Sequence, residues 1–118
     1  MHEVASKLVE IHNQLRFFHW QTNSYARHQA YGGTYDALGD LIDTFVETMM
    51  GKYGRVPALP MRVFNRNEKD INSFIEETIG YLLNLSSMFN PEQDTDLLNI
   101  RDEMLGEFNK LKYLITLK

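Results

Sequence analysis

The chain has 118 residues, of which 43% are hydrophobic and 24% charged, and it contains no cysteine. This length fits one globular domain. Without cysteine there can be no disulfide, thiolate metal site or cysteine nucleophile, and a net charge of -4 argues against nucleic-acid binding. No segment has the roughly 20 apolar residues that span a bilayer, and no signal sequence opens the chain, so we expect a cytoplasmic protein without membrane contact.

Apolar residues at helical spacing predict two helices in the first half of the chain. The first runs to about Thr22, with a stripe made of Val4, Leu8, Ile11, Leu15 and Phe18. The second begins between Ser24 and Arg27 and ends at about Tyr53, before Gly54; its apolar face comprises Leu38, Leu41, Ile42, Phe45 and Met49. We expect the pair Gly32-Gly33 to loosen this helix, because glycine costs up to about 1 kcal/mol relative to alanine.

A proline-broken segment follows the second helix. Pro57 and Pro60 exclude regular structure from residues 55–65. The segment is apolar for a loop, so we expect it to pack across the molecule.

Two further helices are predicted in the second half. The third starts near Asn67, with Asp70 as its capping-box partner, and its stripe comprises Ile71, Phe74, Ile75, Ile79, Leu82 and Leu85. The fourth is expected to start at Asn90-Pro91, because proline is favoured at the first helical position, and its stripe comprises Leu97, Ile100, Met104, Phe108, Leu111 and Ile115. The sequence therefore predicts an all-α protein: one domain, residues 1–118, folded as a four-helix bundle with a long connection between the second and third helices.

Two histidines precede a ladder of acids on the second helix. His19 and His28 are followed by acids that recur at helical spacing, namely Asp36, Asp40, Asp43 and Glu47. The acids fall within about 60° of one another on a helical wheel, opposite the apolar face. Imidazole and carboxylate groups are ligands for divalent iron. Because the acids face away from their own core, a metal site built from them would have to lie between subunits; the simpler interpretation is a solvated helix face.

The same segment resembles the Dps-type miniferritins. In that family a His-Trp pair ends the first helix and a second histidine starts the next one, here His19-Trp20 and His28, and an Asp and a Glu follow at the spacings of Asp43 and Glu47. The resemblance implies a ferritin-like fold and a di-iron ferroxidase site at a two-fold interface, with His19 and His28 of one subunit facing Asp43 and Glu47 of the other. It also implies a homo-oligomer, in the family a twelve-subunit shell, that oxidises Fe(II) with dioxygen or peroxide and stores or detoxifies iron.

The chain also resembles trimmed ferritin-like proteins of tailed phages and large viruses. The competing hypothesis is therefore a helical structural or interaction protein with a vestigial metal site. Each candidate residue has a plain explanation as well: His19 as a core-edge histidine bonded to backbone, His28 as an exposed residue, and Asp36 and Asp40 as surface charges. His12, one heptad before His19, edges the same face.

Overall fold

The computed structural model describes every residue from Met1 to Lys118. The four α-helices are α1 (Val4–Gln21), α2 (Tyr25–Tyr53), α3 (Ile71–Asn84) and α4 (Thr95–Leu114). Short 3₁₀ turns, Glu68–Asp70 and Leu85–Ser87, flank α3, and there is no β-strand. The all-α prediction is confirmed. No helix has the length and apolar character that crossing a membrane requires.

The chain direction alternates between neighbouring helices. A tight turn joins α1 to α2, so these two helices are antiparallel. Phe18, near the end of α1, packs against Phe74 in the first turn of α3, with ring centroids 5.3 Å apart. Near the start of α1, the Lys7 ammonium lies 5.7 Å from the ring centroid of Tyr81, near the end of α3. Because α3 is thus antiparallel to α1, α2 and α3 run in the same direction, and residues 54–67 must travel the length of the molecule between them.

The core is built from the apolar stripes predicted for the four helices. Most of their members are buried, while Leu41, Ile79 and Ile100 are partly buried. Tyr31 and Phe89 join the core as well. The predicted stripes are therefore confirmed, and burial of these side chains is the main force that holds the helices together.

Predicted helix ends hold at three places. The Ser24 hydroxyl accepts a hydrogen bond from the Arg27 N–H (3.2 Å) and caps α2. Gly54 ends α2 with φ at 94°, a left-handed conformation that glycine adopts without strain. The Asp70 carboxylate accepts from the Asn67 N–H (2.9 Å) ahead of α3.

The predicted start of the fourth helix is wrong. Pro91 lies in a turn, and α4 begins at Thr95. The cause is the buried carboxylate of Asp94, which accepts hydrogen bonds from the Asn90 N–H (2.8 Å) and the Tyr53 hydroxyl (2.5 Å). These bonds close residues 90–94 into a turn and tie it to the end of α2.

Residues 54–67, here called the strap, extend along α1. The Ser6 hydroxyl accepts from the Leu59 N–H (2.8 Å), and the Glu10 carboxylate accepts from the Arg62 N–H (2.9 Å). One turn further along α1, the Gln14 side chain bonds both backbone groups of Phe64: its Nε2 donates to the carbonyl (3.0 Å), and its Oε1 accepts from the N–H (2.9 Å).

The strap packs across the molecule as predicted, but the attachment differs from the expected apolar burial. Met61, Val63 and Phe64 remain exposed. Backbone hydrogen bonds to a line of polar side chains on α1 hold the strap instead, and these satisfy peptide groups that no secondary structure pairs.

Replacing Gln14 tests this attachment. Gln14→Ala removes two hydrogen bonds from a side chain that is 5% exposed, so we expect the free energy of unfolding to fall by about 1–2 kcal/mol. Gln21→Ala is the matched control, because exposed Gln21 makes one long bond to Asn65 (3.4 Å), and it should change stability by less than about 0.5 kcal/mol. Urea unfolding measures both variants; equal losses would contradict the assignment.

Candidate metal-binding site

His19 and His28 hold each other in a reciprocal arrangement. His19 Nδ1 lies 2.8 Å from the carbonyl oxygen of His28, and His28 Nδ1 lies 2.8 Å from the carbonyl oxygen of His19. The rings stack with centroids 3.9 Å apart and planes 12° from parallel. A carbonyl oxygen only accepts, so each Nδ1 carries a proton, and in the neutral ring Nε2 keeps its lone pair.

Two glycines of α2 make room for two histidines of α1. A Cβ on Gly32 would lie 2.8 Å from Cε1 of His19, and a Cβ on Gly39 would lie 3.4 Å from the ring of His12. His12 and His19 are seven residues apart on α1, and Gly32 and Gly39 are seven residues apart on α2. The two contacts therefore fit the same antiparallel register of the helices. The helix runs unbroken through the pair Gly32-Gly33, and the structure gives Gly32 a further role, because the missing Cβ makes room for an imidazole ring.

His12 is a third imidazole bonded across this seam. Its Nε2 donates to the carbonyl oxygen of Tyr35 (2.9 Å), and its ring stacks on the Tyr35 ring at 3.8 Å. Burial lowers the pKa of His12 below its usual range, and the charge of Arg16 adds to this effect, while Asp43 and Asp36 oppose it. His12 is therefore held as a neutral packing and hydrogen-bonding group at neutral pH.

All four acids of the ladder are exposed on the outer face of α2. The prediction that they face away from the core is confirmed. Asp43 follows His28 by fifteen residues, which is about 22 Å along a helix. Within one chain the structure thus brings His19 and His28 together and sets Asp43 and Glu47 one turn apart. It does not bring the histidines to the acids, and no group of three or more metal-ligand side chains forms within the chain.

An exposed cation–aromatic cluster borders His19. The Arg16 guanidinium lies 4.9 Å from the ring centroid of Tyr35 and 5.6 Å from that of Trp20, and it donates to the Tyr35 hydroxyl. Trp20 is 60% exposed and contacts Phe17 edge to face. A tryptophan this exposed is typical of a surface that another molecule covers.

The same face carries an apolar groove at its other end. It encloses about 260 Å³ between α1, α2 and the strap, and the side chains that line it include Ala5, Val9, Val46, Met50, Val56 and Met61, with Asp43 at its edge. The acids, the histidine seam and this groove thus form one continuous outer face of α1 and α2, which we call the α1/α2 face. Sequence reasoning missed the groove, because part of its lining comes from the strap.

A family model described as a family of unknown function (DUF5856) matches residues 19–115. The chain belongs to this family. It is also 31% identical over 102 residues to an uncharacterized 14.6 kDa protein in the mobD-ri intergenic region of Enterobacteria phage T4, which covers 85% of this chain and 75% of that protein. No solved structure matches the chain. The DUF5856 match begins at His19 and includes all four candidate ligands.

The glycine next to His19 can be tested against its neighbour. Gly32→Ala forces a Cβ against the His19 ring, so we expect it to lower the free energy of unfolding by about 1–3 kcal/mol through overpacking. Gly33→Ala meets no atom within 4 Å and should raise stability by up to about 1 kcal/mol. Thermal and urea unfolding compare the two. If Gly32→Ala and Gly33→Ala raise the free energy of unfolding equally, the close contact between His19 and Gly32 does not contribute to stability.

Proposed function

We propose that this chain is a Dps-like iron-binding protein whose di-iron ferroxidase site forms at a two-fold interface. His19 and His28 of one subunit would face Asp43 and Glu47 of the other. The observation that carries the proposal is the reciprocal hydrogen bonding of His19 and His28. A ligand histidine commonly donates its other ring N–H to a carbonyl or carboxylate, which fixes the ring and its tautomer. Here both histidines are prepared in this way before any metal binds.

The separation of the histidines from the acids favours an intersubunit site. A two-fold axis crossing α2 near Asp36, about midway between His28 and Asp43, would bring the histidines of each subunit to the acids of the other. The apolar groove and exposed Trp20 on the α1/α2 face supply surface that a partner subunit would bury. Arg16, which lines the same depression as Asp36, would offset the repulsion between acids close to the axis.

The donor set suits the proposed substrate. Imidazole nitrogens and carboxylate oxygens bind Fe(II) and leave positions open, so the bound ion would remain accessible to dioxygen or peroxide. The connectivity of the helices, with one long crossover between α2 and α3, is compatible with a ferritin-like bundle. A multi-subunit shell in the cytoplasm of a phage-infected host would be the corresponding setting.

A second function has its own support. The apolar groove and the phage T4 relative also fit a helical structural or interaction protein of a phage, in which the histidine seam only stabilises α1 against α2. This alternative predicts an assembly through the α1/α2 face without iron chemistry.

Anaerobic Fe(II) titration followed by an oxidant, monitored by absorbance, separates the two functions. We expect the wild-type protein to bind one to two irons per subunit saturably. A two-fold dimer has two equivalent sites, which is one site for each subunit. Asp43→Asn/Glu47→Gln should abolish saturable binding. Asp36→Asn/Asp40→Asn is the matched control: it removes the same charge from the same exposed face and should retain the binding.

Size-exclusion chromatography with light scattering completes this test. A dimer or larger assembly is expected for the wild-type protein and for both double variants, because the interface does not depend on the metal. A wild-type monomer contradicts both functions. An assembly without saturable iron binding, or equal loss of binding in the two double variants, rejects the ferroxidase and leaves the structural role.

A further inference from the structure

A second cavity lies on the opposite side of α1, between α1, α3 and the strap. It encloses about 200 Å³, and its floor is apolar, formed in part by the buried side chains of Ile11 and Phe74. Its volume is sufficient for a small aromatic molecule but not for a peptide.

The strap creates this cleft. Helices α1 and α2, α2 and α4, and α3 and α4 bring their backbones close together. The backbones of α1 and α3 are farther apart, and these two helices meet through long side chains such as Phe18 and Phe74. The strap is bonded to the polar side of α1 through Glu10 and Gln14, so its backbone stands beside the gap and forms a wall. The cleft therefore results from the way the strap and the helices pack.

One side chain that lines the cleft, Tyr81, carries a polar atom without a partner. The hydroxyl oxygen of Tyr81 is buried and makes no hydrogen bond with any other residue. Such a group costs stability, since almost every buried polar atom in a native protein is paired. Burial raises the pKa of Tyr81 to about 12, and nearby Glu3 and Glu10 add to this shift, so the hydroxyl keeps its proton and can donate it to an acceptor.

The charges around the cleft favour an anion. Lys7, Arg62 and Arg66 line it together with two acids, Glu10 and Glu77.

The two acids are already bonded: Glu10 accepts from the Lys7 ammonium (3.0 Å) and the Arg62 N–H, and Glu77 accepts from Arg66 (3.2 Å). The Arg62 guanidinium forms no ion pair with either acid and is the cation left for a ligand.

We propose that the cleft between α1 and α3 binds a small aromatic carboxylate. The ring would lie on the floor of Ile11 and Phe74, and the carboxylate would accept hydrogen bonds from the Tyr81 hydroxyl and the Arg62 guanidinium. Arginine binds a planar carboxylate through two parallel N–H donors. The apolar floor of the cleft suits the aromatic ring of the ligand. This site is separate from the α1/α2 face, so it stands or falls independently of the iron proposal.

An NMR titration of the full chain tests the site, with benzoate as the probe. We expect amide shifts confined to the strap, the start of α1 and α3, with a dissociation constant on the order of 1 mM for so small a ligand. Tyr81→Phe and Arg62→Gln should each weaken benzoate binding at least about tenfold, because each removes a hydrogen bond to a charged group. Arg55→Gln, which removes an exposed arginine of the same strap outside the cleft, should bind benzoate as the wild type does.

Two further measurements exclude simpler explanations. Tyr81→Phe should melt no lower than the wild type, because it deletes a hydroxyl that has no partner in the folded protein; weaker binding by a fully stable variant then reflects loss of recognition. Benzyl alcohol and benzylamine replace the carboxylate with a neutral and a cationic group. The proposal is overturned if benzoate causes no saturable shifts, or if either analogue binds as tightly as benzoate.

Discussion

Two imidazole rings set against two glycines fix the register of α1 on α2, and the outer face of the molecule depends on this register. His19 over Gly32 and His12 over Gly39 allow the helices to approach closely, and the reciprocal bonds between His19 and His28 close the turn between them. With this register set, the acids of α2 cannot turn inward, and the two candidate ligand pairs must occupy opposite ends of one exposed face. A site that combines the two pairs therefore requires a second subunit.

The opposite side of α1 follows a different principle. There Ser6, Glu10 and Gln14 bond the backbone of the strap rather than the side chains of another helix. The strap satisfies its peptide groups in this way, and it forms one wall of the cleft between α1 and α3. Tyr81, whose buried hydroxyl is unpaired, lines this cleft. Helix α1 thus carries the histidine seam on one side and a small cleft on the other.

Local patterns in the sequence predicted much of this fold and less of its surfaces. The apolar stripes, the Ser24 cap and the stop at Gly54 are set by residues near in sequence, and they are where they were expected. The start of α4 was missed because Asp94 is held by Tyr53, a long-range contact that outweighs the preference of Pro91 for a helix start. The contact of Gly32 with His19 could not be predicted from helix propensity, because propensity is local and His19 lies on another helix. The matching heptad spacing of His12 and His19 and of Gly32 and Gly39 was the available signal. No local sequence pattern predicts the cleft, because its walls come from three separate segments: α1, the strap and α3.

The protonation of the two ring nitrogens of His19 and His28 tests the central claim most directly. Long-range ¹H–¹⁵N correlation spectra of the imidazole groups at neutral pH distinguish a protonated from a bare ring nitrogen. The reciprocal arrangement predicts that both residues carry a proton on Nδ1, and that Gly32→Ala disturbs this state while Gly33→Ala does not. A bare Nδ1 on either histidine in the wild-type protein would contradict the reciprocal bonds and remove the basis for the metal site.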